Sequence, residues 1–235
     1  LISYVASGST PDLLSSFTSS LGATTRIQYA SASRWSNTNN PPPLPTVTSV
    51  TVQDGRGGTS TTNYTYSGGL YDRLERRFLG FRYVREVRPC ISGESACPYN
   101  DTYFKQDYGS ISKVEWLYQY AGTGTTLSVI YNEYTTNGSA IPYTSLNTRQ
   151  ILYRYDASGN FAESAVTTRG FDAYGNVTQE QVDPHTQVPG DETTVRYMFR
   201  PNTTDYIVGK PAVTDTFAGL GTGGALLSQI GRAHV

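Results

Sequence analysis

The chain has 235 residues, with 18 Lys and Arg against 19 Asp and Glu, a net charge of −1. That balance lacks the positive excess that a nucleic-acid partner or an anionic membrane surface calls for, and no apolar run approaches the roughly 18 residues of a membrane span, so direct membrane insertion is not expected. A composition of 19 Tyr, 23 Gly and a single Met favours strands and turns over helices.

In chain order, Pro11-Asp12-Leu13-Leu14 can start one short turn. Ala23, Thr25, Ile27 and Tyr29 then alternate with Thr24, Arg26 and Gln28 as a half-buried strand. Ser36 to Pro45 holds four prolines and is read as a loop, since proline lacks the ladder donor. Val47 to Gln53 and Thr59 to Tyr66 read as a hairpin joined by the glycine-rich link Asp54-Gly55-Arg56-Gly57-Gly58.

The stretch from Tyr64 to Val87 carries the densest signal. It ends one strand, turns at Ser67-Gly68-Gly69, crosses a charged link and resumes as an aromatic strand from Leu79 through Phe81, Tyr83 and Val87, with Arg85 breaking the apolar face. Gly80 suits a bulge or a close backbone approach. Arg73, Arg76, Arg77, Arg82 and Arg85 crowd this segment, offset by Asp72, Glu75 and Glu86. A solvated face or ion pairs across a sheet account for them better than a phosphate site, given the net charge.

Pro89 to Asp101 reads as irregular. It holds Cys90 and Cys97, the chain's two cysteines. They form a disulfide if the protein reaches an oxidising compartment, or remain free thiols; zinc needs about four ligands, and no histidine lies nearby in sequence. Val114, Trp116, Tyr118 and Tyr120 mark a strand with an aromatic face. Leu127 to Tyr134 follows the Gly122-Thr-Gly124 turn, and Asn137-Gly138 marks another.

The second half carries a repeat. Tyr155-Asp156-Ala157-Ser158-Gly159-Asn160 recurs as Phe171-Asp172-Ala173-Tyr174-Gly175-Asn176. In each copy the aromatic ends a strand, Asp caps the turn through its side chain, and Gly supplies positive φ before the next strand. Val177, Gln179 and Gln181, then Thr193, Val195, Tyr197 and Phe199, read as further strands.

Chemistry is sparse. Gly219-Leu-Gly221-Thr-Gly-Gly224 matches a dinucleotide fingerprint only formally, for want of a following helix. His185 sits in a turn-like Asp183-Pro184-His185 context and reads as a surface histidine. Asp72 and Glu75 read as ion-pair partners of the neighbouring arginines rather than as an acid–base pair. The sequons at Asn63, Asn100, Asn137, Asn176 and Asn202 are chance products of Thr-rich strands. No catalytic, cofactor-binding or metal-ligating residue is nominated, no cofactor is expected, and the chain is not expected to be an enzyme.

Tyr64-Thr-Tyr-Ser-Gly-Gly-Leu-Tyr-Asp72, followed by Arg76-Arg-Phe-Leu-Gly-Phe-Arg-Tyr-Val84, resembles the middle region of the B component of bacterial insecticidal toxin complexes and of related SpvB-type and Rhs/YD-repeat proteins. Asp12-Leu-Leu-Ser-Ser-Phe-Thr-Ser-Ser-Leu-Gly-Ala-Thr-Thr-Arg-Ile-Gln-Tyr29 resembles the segment upstream, and Asp205-Tyr-Ile-Val-Gly-Lys-Pro211 the one downstream. The aromatic-Asp-x-x-Gly-Asn unit is the YD repeat of that family. The resemblance implies an all-β fold of antiparallel strands and hairpins, part of a large Rhs/YD-repeat β-shell with little or no helix.

It divides the chain into a B-component middle region at 1–150 and a YD-repeat-like shell segment at 151–229. Ile230-Gly-Arg-Ala-His-Val235 resembles a translated sequencing adapter, so 230–235, His234 included, is set apart. With Leu1 rather than Met at its start, the chain reads as a piece of a longer protein, one expected to fold poorly alone.

The function implied is structural: a secreted, virulence-related cocoon that encloses a cytotoxic payload. The partners implied are a C component with its payload, and a pore-forming A component reached through a propeller that this chain lacks. The alternative is a secreted β-rich glycan- or surface-binding module using its exposed Tyr and Trp. An ADP-ribosyltransferase, which SpvB-like proteins can carry as a separate domain, has no counterpart here.

Overall fold

A computed structural model describes residues 13–39, 41–90 and 93–231. Pro11 and Asp12 of the early turn, and His234 with the last residues of the adapter-like tail, lie outside the described residues. The strands are β1 (Ser16–Thr18), β2 (Thr24–Ser31), β3 (Ser36–Asn39), β4 (Pro45–Gln53), β5 (Thr59–Asp72), β6 (Arg77–Phe78), β7 (Tyr83–Val87) and β8 (Tyr99–Phe104), followed by β9 (Val114–Tyr120), β10 (Thr126–Asn137), β11 (Thr144–Tyr155) and β12 (Phe161–Phe171), and then by β13 (Val177–Asp183), β14 (Thr193–Phe199), β15 (Pro211–Ala218) and β16 (Leu226–Ile230). One 3-10 turn, Ala32–Arg34, is the helical element among the described residues.

All the strands join one sheet in which spatial order follows sequence order, as in a meander; β3 and β6 lie off the path, each against β5. Successive pairs are antiparallel, and β3 alone pairs in parallel. The all-β, antiparallel, nearly helix-free fold read from the sequence is the fold observed. Position 150 falls inside β11, and the ladder runs through it unbroken.

Little apolar core lies behind this sheet. Among the described residues the buried apolar side chains are Ala32, Leu79, Val129, Ile151, Ala212 and Phe217, while Thr194, Asp215 and Ser110 are the largest that are fully buried. The accessible surface is 14870 Å², against roughly 10,400 Å² expected of a compact monomer of this mass. The sheet is a single layer, held by its backbone ladder and by side chains meeting across neighbouring strands.

Four expectations are corrected. Ser67-Gly68-Gly69 does not turn: β5 runs through it. The chain is crossed there instead, because a Cβ on Gly68 would meet Arg82 Cβ at 2.7 Å and one on Gly69 would collide with the Asn37 side chain. Ser36–Asn39 is not loop but the parallel strand β3, which lies on those glycines, with Asn39 Nδ2 donating to Tyr71 O at 2.5 Å. The aromatic strand starts at Tyr83 rather than Leu79, because Gly80 and the link around it serve as hydrogen-bond partners of β5: Leu79 N–H donates to Leu70 O and Leu70 N–H to Gly80 O. The region from Pro89 is irregular only as far as Pro98, since β8 begins at Tyr99.

The two repeat turns share one design. Asp156 Oδ1 accepts from the Ser158 and Asn160 amides, and Asp172 Oδ1 from those of Tyr174 and Asn176. Asp156 N–H donates to Asn160 O, Gly159 N–H returns to Asp156 O, and Gly159 and Gly175 both sit at φ +84, a type I turn closed by a left-handed residue.

The same backbone scheme recurs at two turns that the motif does not mark, Ser19–Ala23 and Ala121–Thr125, and its closing bond, Asp54 N–H to Gly58 O, at a third. At Asp54–Gly58 the aspartate accepts from Arg56 and Gly58. At Ser19–Ala23 a serine hydroxyl takes its place. At Ala121–Thr125 the backbone bonds stand with no side-chain acceptor. The turns at Ser19, Asp54, Ala121 and Asp156 all lie at one end of the sheet, and the longer links 73–82, 105–113 and 138–143 at the other.

Ala121→Asp is therefore expected to supply the missing acceptor and raise stability by about 1 kcal/mol, read as a higher Tm. Hydrogen bonds from the Asn160 amide and side chain hold the Asp156 carboxyl below its ordinary 3.8. Asp172 is held low too: burial raises it, but bonds from Asn176 outweigh that. A lowered carboxylate stabilises the fold in full above its unfolded value and ceases to as pH falls through the folded one. The Tm difference between the parent and Asp156→Ala should accordingly shrink below pH 3.8.

Candidate functional surface

Side chains two apart along a strand share a face, and the register carries that face across the sheet. One face presents Tyr83, Tyr103, Trp116, Tyr131 and Ile151 in a row across β7 to β11, and Arg85, Asp101, Tyr118, Val129 and Tyr153 in the next. The rings stack on one another: Trp116 lies 4.1 Å from Tyr131 and 5.9 Å from Tyr118, Tyr99 lies 4.7 Å from Tyr120, and Tyr83 lies 5.1 Å from Tyr103.

Within this face sits an ion pair whose carboxylate is buried and whose arginine is partly exposed. Asp101, 6% exposed, takes a fork from Arg85 (Nε to Oδ1 and Nη2 to Oδ2, both 2.7 Å) and the Tyr83 hydroxyl at 2.7 Å. The guanidinium lies 4.3 Å over the Tyr99 ring. Burial, and then the bond to Asp101, push the Tyr83 hydroxyl well above its ordinary value.

The same device recurs on this face near the far edge. Asp215, 1% exposed, accepts from Arg196 at 2.6 Å and Gln229 at 2.8 Å, while Arg196 lies 5.2 Å from the Phe217 ring. The bond from Arg196, seconded by Gln229, holds the Asp215 carboxyl below its ordinary value. The sequence marks Arg85 as a break in the apolar face and as one of the arginines to be ion-paired across the sheet, but not its partner Asp101, nor Arg196 and Asp215. An Arg and an Asp on separate strands gain meaning only once the register sets them opposite each other.

At the long-loop end, Gln106 Nε2 donates to both Gly68 O at 2.7 Å and Gly80 O at 2.8 Å. Arg82 bonds Phe104 O at 2.6 Å and Glu115 at 2.5 Å, and Lys105 also approaches Glu115. These groups line an open pocket of about 280 Å³, but their charges are spent on one another. Of the arginine cluster, Arg82 and Arg85 form the expected ion pairs, whereas Arg73, Arg76 and Arg77 stand exposed on the 73–77 turn. The expected ion pairs of Asp72 and Glu75 with the neighbouring arginines are not formed among the described residues. Asp72 Oδ1 caps the amides of Leu74 and Glu75, and its Oδ2 accepts from the Tyr108 hydroxyl.

The remaining sequence candidates stay apart. His185 contacts Asp191 at 2.7 Å and Glu163 at 3.6 Å, with no nucleophile in the set. Gly219–Gly224 links β15 to β16, a strand where a nucleotide site needs a helix, and its Gly219 and Gly221 amides donate to Glu192 O and Thr194 Oγ1. Cys90 and Cys97 are joined in a disulfide. Among the described residues no cluster of three or more His, Cys, Asp or Glu is placed to hold a metal, and no helix is long and apolar enough to cross a membrane.

Residues 4–109 match the family model described as the insecticide toxin TcdB middle/N-terminal region. No curated protein sequence matches the chain. Solved structures share its fold. TcdB2-TccC3 without its hypervariable C-terminal region superposes with a TM-score of 0.61 at 12% identity over 84% of this chain and 14% of that one. TcdB2-TccC3 does so at 0.61 and 14% identity over 84% and 15%. The mutant Photorhabdus luminescens Tc holotoxin pore gives 0.65 and 12% identity over 85% and 14%. The chain thus spans about one seventh of the length of those it matches. The resemblance to the middle region of a toxin-complex B component, carried by the stretch from Tyr64 to Val84, is borne out.

Two variants test what holds this surface. Asp101→Ala leaves Arg85 and Tyr83 without their acceptor and is expected to cost about 2 kcal/mol in denaturant unfolding. Cys90→Ser with Cys97→Ser should cost about 2 kcal/mol by freeing the short loop in the unfolded chain. Reducing agent should lower the Tm of the parent and leave that of the double variant unmoved.

Proposed function

We propose that this chain is a wall segment of the β-shell of a secreted toxin-complex B component, helping to enclose a cytotoxic payload. The single-layer sheet carries the reading. A sheet with more surface than a compact monomer, and with polar rather than apolar burial, suits a partition between two wet compartments better than half of a packed core. Its continuous ladder satisfies the backbone of every internal strand.

The middle region at 1–150 and the YD-repeat-like segment at 151–229 would be successive stretches of one wall. A C component of the TccC kind would complete the shell. A propeller elsewhere in the parent protein would dock it on the pore-forming A component. The part assigned to this chain is enclosure, with no catalytic residue. The alternative, a glycan- or surface-binding module, needs open ring faces. Trp116 instead stacks with Tyr131, and Trp35 packs 5.3 Å from Tyr66 with its Nε1 donating to Thr46.

The two faces of the wall allow a test in the parent protein assembled with its C component. A photo-crosslinking residue would replace Tyr118 in one version and Leu117, on the opposite face, in another. A wall predicts crosslinks to the payload from one position only. Crosslinks from neither, or equally from both, would sink the reading, and retention of a defined glycan by the chain would favour the binding module.

A further inference from the structure

We propose that the turn from Arg73 to Arg77 is a processing site for an arginine-specific, trypsin-like endoprotease. Arg73, Leu74, Glu75, Arg76 and Arg77 are five consecutive exposed residues, and Leu74 is 93% exposed. Their sole strand pairing is the short ladder of β6 on β5, in which Tyr71 faces Phe78 and Asp72 faces Arg77. A protease needs several residues drawn out in extended form, and exposed loop tips are where such opening costs least. Opening the stretch from Tyr71 to Phe78 takes release of those two residue pairs, of the Asp72 carboxylate from the Leu74 and Glu75 amides and the Tyr108 hydroxyl, and of the Asn39 side chain from Tyr71 O.

Among the described residues, Lys113 is also exposed, and Arg34 is exposed but sits in a 3-10 turn whose Trp35 N–H donates to Ala32 O and whose Trp35 O accepts from Asn37 Nδ2; other loop-borne basic residues are protected. Arg88, Arg200 and Lys210 are each followed by a proline (Pro89, Pro201 and Pro211), whose ring hinders cleavage of the bond before it. Arg56 lies in a tight turn closed at once by the continuous β4–β5 ladder from Gln53↔Thr59 inward. Arg82, Arg85, Arg149, Arg154, Arg169 and Arg196 are engaged by carboxylates of the sheet. Arg73, Arg76 and Arg77 have no carboxylate partner among the described residues, Arg73 reaching only the Asn39 side chain at 3.3 Å, and they offer successive scissile bonds on one turn.

The chemistry is hydrolysis. At Arg76, for example, water oxygen adds to the carbonyl carbon, the bond to the Arg77 nitrogen breaks, and that nitrogen takes the proton. The cut leaves the flanks in place, since β5 and β7 stay paired from Asn63↔Val87 to Ser67↔Tyr83. The product is a nicked sheet rather than two separate halves.

The test is limited digestion of the intact parent protein under native conditions, first with trypsin and then with an arginine-specific protease. The first new N-termini should be Leu74, Arg77 or Phe78, and the fragments should co-elute in gel filtration yet separate in denaturing gels. Replacing Arg73, Arg76 and Arg77 together by Gln should slow the cut at least ~10-fold at unchanged Tm. Replacing all three by Lys, which keeps the charge, should block the arginine-specific enzyme and leave trypsin cleavage in place. A first cut elsewhere, resistance of the turn while the unfolded chain is digested, or separation of the nicked fragments in gel filtration would overturn the proposal.

Discussion

The backbone ladder is the constraint on which everything else in this molecule depends. A sheet with a hydrophobic layer behind it can tolerate lapses in cross-strand pairing, because burial supplies most of the driving force. Here the apolar burial is confined to scattered residues such as Leu79, Val129, Ile151 and Phe217. The strands must hold one another through amide–carbonyl bonds and through side chains set opposite by register. That explains why the largest fully buried side chains among the described residues are a threonine, an aspartate and a serine, each with a hydrogen-bond partner, rather than leucines.

The Arg–Asp pairs belong to the same logic. In a packed interior a buried carboxylate is a burden offset only by full satisfaction. Asp101 and Asp215 meet that demand with an arginine from the neighbouring strand, a second donor, and an aromatic ring beneath the guanidinium. Each pair is specific to one alignment of two strands. A slip by one residue would turn the aspartate to the opposite face and leave the arginine unpartnered. In a sheet whose faces are both partly polar, alternation alone specifies register weakly, and these pairs supply what it lacks.

Much of the fold was legible because its signals are local. Alternation at Val114–Tyr120, the Asp54–Gly58 link and the two Asp-x-x-Gly-Asn turns each act within a few residues, and each stands where expected. What escaped depends on distant partners. Gly68-Gly69 reads as a turn from its own chemistry, yet it is a crossing because Asn37 and Arg82 arrive from elsewhere. Ser36–Asn39 reads as loop beside its prolines, yet it pairs in parallel with β5 because those glycines leave room. The degenerate turns at Ser19 and Ala121 keep the glycine but lose the aspartate, so the backbone scheme outlives the motif. For the surface, the sequence named Arg85 and the aromatics but not the carboxylates that the register brings to them.

The order of strands in space is the order of strands in sequence. Each strand leaving a ribosome or a narrow pore finds its neighbour already in place and needs no later segment to complete the pair, which keeps loop closure short and folding local. The same arrangement governs mechanical release. Pulled from either terminus, a meander opens like a zipper: load falls on the bonds of one strand at a time instead of shearing many at once. A sheet built this way yields readily to tension along its thread.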